Sequence, residues 1–176
     1  MARAKPYYPT RAELAAGAKP LPPVPPSFML KLLTGRTGHR LDRWLVRWTG
    51  FSVISWQAAR DRGIAYQRSL LLTTTGRKTG LKRSVVLPYV TFEEGLVVVA
   101  SNGGGPRNPA WLENLRANPG CEVIVSRRKR SAVAAIPQGN ERIRLLDKVA
   151  ITRPQVHNYE YHAGRHGRTL ELAVLK

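Results

Sequence analysis

The chain is 176 residues long and carries 29 Lys and Arg against 11 Asp and Glu, a formal net charge of +18. That length suits one domain around one hydrophobic core, and that charge calls for an anionic partner: nucleic acid, acidic lipid or an anionic cofactor. A single cysteine, Cys121, excludes an intrachain disulfide and a thiolate metal cluster, and no run approaches the roughly 20 apolar residues that a membrane-spanning helix needs.

Residues 1–26 hold Pro6, Pro9, Pro20, Pro22, Pro23, Pro25 and Pro26. They read as an extended, mobile arm with polyproline character, outside the core. They offer Pro, Ala and charge where a secretory leader needs an apolar run. The expected location is therefore the cytoplasm, either soluble or peripheral on the inner face of the cell membrane.

Residues 27–68 read as a basic helical extension. Ser27 is a candidate cap for a helix carrying Phe28, Leu30, Leu32 and Leu33, interrupted at Gly35 and Gly38. Leu41, Trp44, Leu45 and Trp48 then recur at helical spacing, with Arg36, Arg40, Arg43 and Arg47 on the other side. Two readings of residues 36–48 stand: a helix packed on its own domain with solvated arginines, or one lying on an anionic membrane surface.

From Ser69 the pattern turns to short strands. Residues 69–75 and 83–91 flank Gly76-Arg77-Lys78-Thr79-Gly80-Leu81-Lys82-Arg83, where glycines permit a sharp turn and four cations crowd together. Such a turn brings basic heads and backbone N–H groups onto one anionic group; alone it is also compatible with a plain surface hairpin. Glu93-Glu94-Gly95 leads into a third strand, 96–101, which exits through Asn102-Gly103-Gly104-Gly105-Pro106. Asn108 and Pro109 open a helix with Trp111, Leu112, Leu115 and Arg116. A hairpin of residues 121–125 and 131–136 follows across the tip Arg127-Arg128-Lys129-Arg130. A helix from Asn140 to about Thr152 is then expected, next the polar, aromatic stretch 156–162, and last a strand over 169–175. About six mainly antiparallel strands with flanking helices imply an α+β fold built on a small closed barrel.

Residues 70–125 resemble the deazaflavin-dependent nitroreductase family, split β-barrel oxidoreductases of actinobacteria that use coenzyme F420. Four pieces carry the resemblance in order. They are Leu71-Leu72-Thr73-Thr74-Thr75-Gly76-Arg77-Lys78-Thr79-Gly80; Arg83 with Pro88-Tyr89; Val98-Val99-Ala100-Ser101-Asn102-Gly103-Gly104; and the segment from Asn108-Pro109-Ala110-Trp111 through Asn114 to Pro119. The resemblance spans residues 27–176 and is close only from 70 to 125.

It implies a split-barrel deazaflavin-binding domain over 69–176 and hydride transfer from the reduced coenzyme to a quinone, enone or nitro-type acceptor, lipophilic and small. Arg77, Lys78, Arg83 and the N–H groups around Thr79 and Gly80 would hold the coenzyme's anionic end. Pro88, Ala100, Ser101, Asn102 and Gly103 would border the ring, with Trp111 and Asn114 beside it. FMN or FAD is the second choice of cofactor, and no metal is implied. In nitroreducing members several tyrosines line the acceptor pocket. Here Tyr159 keeps such a place as the candidate proton donor, while Arg153 and Val156 stand where tyrosines would, so the acceptor pocket is altered. A basic barrel that binds nucleic acid through residues 127–130, or a non-catalytic cofactor- or lipid-binding relative, is the alternative. The strands lack the aromatic-interleaved face that stacks bases, which disfavours nucleic acid. Monomer and homodimer both remain open.

Overall fold

Six strands close into a barrel: β1 (Ser69–Thr75), β2 (Lys82–Phe92), β3 (Gly95–Val99), β4 (Gly120–Val125), β5 (Arg128–Ala135) and β6 (Leu172–Leu175). Their order around the barrel is β1-β2-β3-β6-β5-β4 and every pair is antiparallel, as the α+β barrel expectation requires. This computed structural model describes residues 6–176; residues 1–5 of the expected arm lie outside the described residues. The α-helices are α1 (Arg11–Ala15), α2 (Phe28–Leu33), α3 (Arg36–Thr49), α4 (Val53–Asp61), α5 (Ala110–Ala117), α6 (Gly139–Thr152) and α7 (Gln155–Gly164).

The period-2 alternation of the strands sorts the side chains into separate cores. Leu70, Leu72, Val98, Ala100, Val123 and Leu175 point inward, and α5 adds Trp111, Leu112 and Leu115 to the same cluster. The intervening residues Val97, Val99, Leu172 and Val174 face outward onto Leu145, Leu146 and Val149 of α6 and Val156 of α7. On another face Leu71 and Ile124 meet Val46 of α3. A one-residue slip in any strand would exchange these sets.

Three local expectations change. The stretch 156–162 is helical: it lies within α7, which starts at Gln155 beyond Arg153 and Pro154 and buries Val156, His157 and Asn158. The hairpin tip is only Ser126 and Arg127, both at positive φ (48° and 66°), as a two-residue turn matching the strand twist demands. Arg128, Lys129 and Arg130 instead run along β5, and Lys129 pairs with Glu122 across the ladder at 2.7 Å. The last strand is also shorter than expected, because Arg168 is drawn inward before it.

The described part of the arm is docked. Thr10 and Glu13 form a capping box on α1, and Arg11 reaches Asp147 at 2.6 Å and Glu160 at 2.9 Å. The backbone of Leu21 donates to Asn158 Oδ1 and accepts from Asn158 Nδ2. Polyproline geometry leaves backbone groups unpaired, so a side-chain amide that satisfies both at one residue holds the segment without a strand.

Helix α3 presents a different face from the one expected of a packed helix. It buries Asp42 and Val46, while Leu41, Trp44 and Trp48 are 57–58% exposed. Asp42 is held by the N-terminus of α4: its carboxylate accepts from Ser52 Oγ at 2.8 Å and from the Ile54 N–H at 3.2 Å. This polar anchor fixes the helix rotation, and the Trp–Leu stripe is left facing solvent.

Candidate functional site

The turn between β1 and β2 forms one wall of an open cleft of about 700 Å³. Its shape comes from the backbone. The Gly76 N–H donates to Leu81 O, and the Thr79 and Gly80 N–H groups both donate to Gly76 O. Gly80 sits at φ 68°, which a side chain would resist. The N–H groups of Thr79 and Gly80, expected to hold an anion, are thus consumed in closing the turn.

The anion-binding capacity lies in the side chains. Arg77, Lys78 and Arg83 are exposed along the cleft with Thr79 and Ser84. Among the described residues none of these three cations pairs with a carboxylate. The same cleft is also bounded by Val85, Pro109 and Trp111. Trp111 is 6% exposed, so the indole serves both the barrel core and the cleft wall. A flat ring against the apolar end with an anionic tail on the cations is what this donor set can hold.

Asn114 acts as a strut for the loop. Its Oδ1 accepts from the Arg77 N–H at 3.1 Å and its Nδ2 donates to Thr74 Oγ1 at 3.0 Å. Both ends of the amide are occupied by protein, and the residue is buried. It reaches the cleft from α5 and locks the first residue of the basic turn onto β1.

The strand exit after β3 separates this cleft from a second cavity. Asn102 lines the cleft, whereas Ser101 and Gly103 line a cavity of about 220 Å³ on the other side. Ala100 is fully buried and bonded through its N–H to Glu171 O, so it borders neither space directly. Gly104, at φ 80°, lets α7 approach: a Cβ there would stand 2.7 Å from His162 Cβ. Pro88 also lies on the second cavity rather than in the cleft.

Arg168 holds this partition and carried no signal in the sequence. Its guanidinium donates to Gly105 O at 2.7 Å, Ala100 O at 3.0 Å, Ser101 O at 2.6 Å and Asn108 Oδ1 at 3.1 Å. Burial, partly offset by Glu171, lowers its pKa from the ordinary value. It remains the charge that ties three carbonyls of an otherwise irregular loop together.

The second cavity brings Tyr159 beside Arg153, with Pro88 opposite and Ile54, Ala58 and Ala59 of α4 forming an apolar wall. That wall comes from the helical extension, a contribution sequence reasoning missed. The small residues Ala58 and Ala59 on α4 were the one available sign that something approaches closely there. Of the residues singled out from sequence, the structure therefore gathers Arg77, Lys78, Thr79, Arg83, Asn102, Trp111 and Asn114 at the cleft. Pro88, Ser101, Gly103 and Tyr159 meet at the cavity; Gly80 shapes the basic turn, and Ala100 lies buried at the strand exit between the two spaces.

The family model for F420H(2)-dependent quinone reductase matches residues 54–176. An F420H(2)-dependent quinone reductase of Mycobacterium tuberculosis is 40% identical over 106 residues, covering 55% of this chain and 70% of the relative. A solved structure described as an F420-H2 dependent reductase is 29% identical, with a TM-score of 0.54, over 61% of this chain and 93% of its own. Another, described as a domain-swapped dimer, is also 29% identical with a TM-score of 0.55, over 65% and 85%.

Proposed function

Since the chain belongs to the F420H(2)-dependent quinone reductase family, we propose that the cleft beside the basic turn binds coenzyme F420 and that the cavity behind Ser101 and Gly103 takes the acceptor. The protein is an oxidoreductase, and the coenzyme's contribution is a hydride equivalent for a quinone-type acceptor. The observation that carries this reading is the cleft itself: three cations with no carboxylate partner among the described residues and an indole-bounded apolar surface line the same space.

The protein's own part is binding and proton handling. Arg77, Lys78 and Arg83 hold the anionic tail by charge-assisted hydrogen bonds, with Thr79 adding a hydroxyl. Trp111 and Pro109 back the ring, while Asn114 and Arg168 keep the two sides of the cleft in place. Tyr159 supplies a proton to the reduced acceptor's oxygen from the cavity wall. FMN or FAD, whose phosphates would meet the same cations, is the second choice.

Fluorescence titration of the full chain with coenzyme F420 tests the cleft. Replacing Arg77 and Lys78 together by Ala should weaken binding about 100-fold, given roughly 1.5 kcal/mol or more per charge-assisted contact. Wild-type protein that binds no coenzyme would sink the assignment, and binding indifferent to the double substitution would reduce it to general charge attraction.

Two finer readings accompany it. No helix among the described residues is long and apolar enough to cross a membrane. We assign the exposed Leu41, Trp44 and Trp48, flanked by Arg36, Arg40 and Arg47, to contact with an anionic membrane surface, where a lipophilic acceptor would be met. Flotation with anionic liposomes tests this; protein that stays at the bottom of the gradient refutes it. A homodimer is the proposed assembly, supported by the domain-swapped neighbour, and light scattering at micromolar protein distinguishes it from a monomer.

A further inference from the structure

Among the described residues Arg153 is a buried cation without a counter-ion. It follows α6 directly, is 6% exposed, and lines the cavity that Tyr159, Pro88 and α4 enclose. Its Nη1 reaches Pro88 O only at 3.5 Å, and its Nε has no hydrogen-bond partner. No Asp or Glu lines the cavity, whose polar wall instead adds Arg62 and the side chains of Gln155 and Tyr159. Arg62 already gives Nη1 to Ala58 O at 2.9 Å. The contrast with Arg168 is sharp: that buried guanidinium is satisfied by four oxygens, whereas Arg153 has one marginal contact.

Leaving a charge buried and unpaired is among the most unfavourable arrangements a fold can keep. Burial accordingly pushes the Arg153 pKa down to about 10, with Tyr159 acting the other way. The Arg153 side chain lines a cavity of about 220 Å³, room for one or two fused rings, with Ile54, Ala58 and Ala59 forming an apolar wall, while its unpaired Nε is closed off from solvent.

We propose that Arg153 is the specificity-determining residue of the acceptor pocket and that it selects a small planar quinone bearing an ionised oxygen, such as a hydroxy-1,4-naphthoquinone. This rests on the assignment of the cavity to the acceptor. A rotation of the side chain, whose Nε is closed off from solvent in the ligand-free protein, lets the ionised oxygen take the Nε–H and an Nη–H as a paired, fork-like contact. The ring lies along the α4 wall, and its far edge points to Ser101 and Gly103, the partition shared with the coenzyme cleft. The neutral methyl-substituted quinone of the same size fits the walls but leaves the guanidinium unpaired.

The test is calorimetric binding to the coenzyme-free full chain, which reads the pocket without turnover. The probes are 2-hydroxy-1,4-naphthoquinone and 2-methyl-1,4-naphthoquinone at neutral pH, where the first is an anion. Wild type should prefer the hydroxyquinone at least about tenfold, the scale of one charged hydrogen bond. Arg153→Gln should abolish the preference, and Arg153→Lys, which keeps the charge but not the fork, should retain part of it. The double Arg77→Ala, Lys78→Ala variant should bind the hydroxyquinone as wild type does. Equal wild-type affinities for the two quinones overturn the proposal, as does a preference that survives Arg153→Gln or disappears with the cleft double variant. Failure of coenzyme binding with an intact Arg153-dependent preference would remove the cofactor assignment and leave this one standing.

Discussion

Two buried arginines of this fold should respond to the same substitution with opposite signs. Arg168→Met removes a guanidinium that four oxygens surround and strands the carbonyls of Ala100, Ser101 and Gly105. Removing one partner of a buried charged network is destabilising by roughly 3–5 kcal/mol. For a chain of this length that is a fall of about 6–20 °C in Tm, at 2–4 °C per kcal/mol. Arg153→Met removes a cation whose pKa is held at about 10 by burial. Measured against an ordinary arginine near 12.5, that displacement corresponds to about 3 kcal/mol of unfavourable charging at neutral pH, at 1.36 kcal/mol per unit. Some packing of the arginine stem is lost, so the net gain should be on the order of 1–3 kcal/mol and Tm should rise by about 2–12 °C. Differential scanning calorimetry of the ligand-free chain at one protein concentration reads both. If Arg153→Met lowers Tm as Arg168→Met does, the Arg153 guanidinium has a partner in the folded protein, and the reasoning from an uncompensated charge fails.

Asn114→Ala should lower stability by about 1–3 kcal/mol, because Thr74 Oγ1 is left buried without its donor, and it should weaken coenzyme binding with the hydroxyquinone unaffected. Asn114→Asp should restore the fold better than alanine, since the Thr74 hydroxyl can turn to donate, while its charge still opposes the anionic tail; titration calorimetry separates the two effects. Gly104→Ala should be destabilising by about 1–3 kcal/mol, from the strain of a non-glycine residue at φ 80° and a Cβ 2.7 Å from His162 Cβ, with Tm as the readout. Acid should loosen the arm. Burial alone would raise the Glu160 pKa, but His157, Arg11 and Arg142 hold it near 2. The folded value lies below the unfolded one, so this stabilisation is complete above about pH 4.5 and is lost as pH falls toward 2. It amounts to at most about 3 kcal/mol. Arg11→Ala should flatten the dependence of Tm on pH between about 5 and 3, and an unchanged slope would remove Glu160 as its source.

The barrel was legible because alternation in the strands is strong. Leu70 and Leu72 point one way and Leu71 the other, and the glycine turn between β1 and β2 marks the reversal. The cleft was legible for a similar reason: its cations fall within one short glycine turn, and Trp111 and Asn114 share one helical face. What escaped was contact between segments distant in sequence. Nothing near Arg168 says that it will turn inward to bind carbonyls more than 60 residues away. The docked arm escaped too, since the prolines excluded strand and most helix while Asn158 and Arg11 supplied the missing partners. The outward stripe of α3 could not be oriented by periodicity, because its rotation is set by Asp42 and the N-terminus of α4.

The proposed acceptor cavity would make the helical extension and the barrel a single functional unit. Its apolar wall is α4, with Ile64 and Ala65 following, and its polar wall is Arg153, between α6 and α7, with Gln155 and Tyr159 of α7. Between them Pro88 of β2 and the partition at Ser101 and Gly103 close the floor. The matched family region begins at residue 54, within α4 and at the first residue that lines the cavity. A chain cut at residue 68 would keep all six strands and the basic turn, and so the coenzyme cleft, while opening the acceptor cavity on its apolar side. Under the proposed assignment the coenzyme site would belong to the barrel, and the choice of acceptor to what the extension and α7 place across from it.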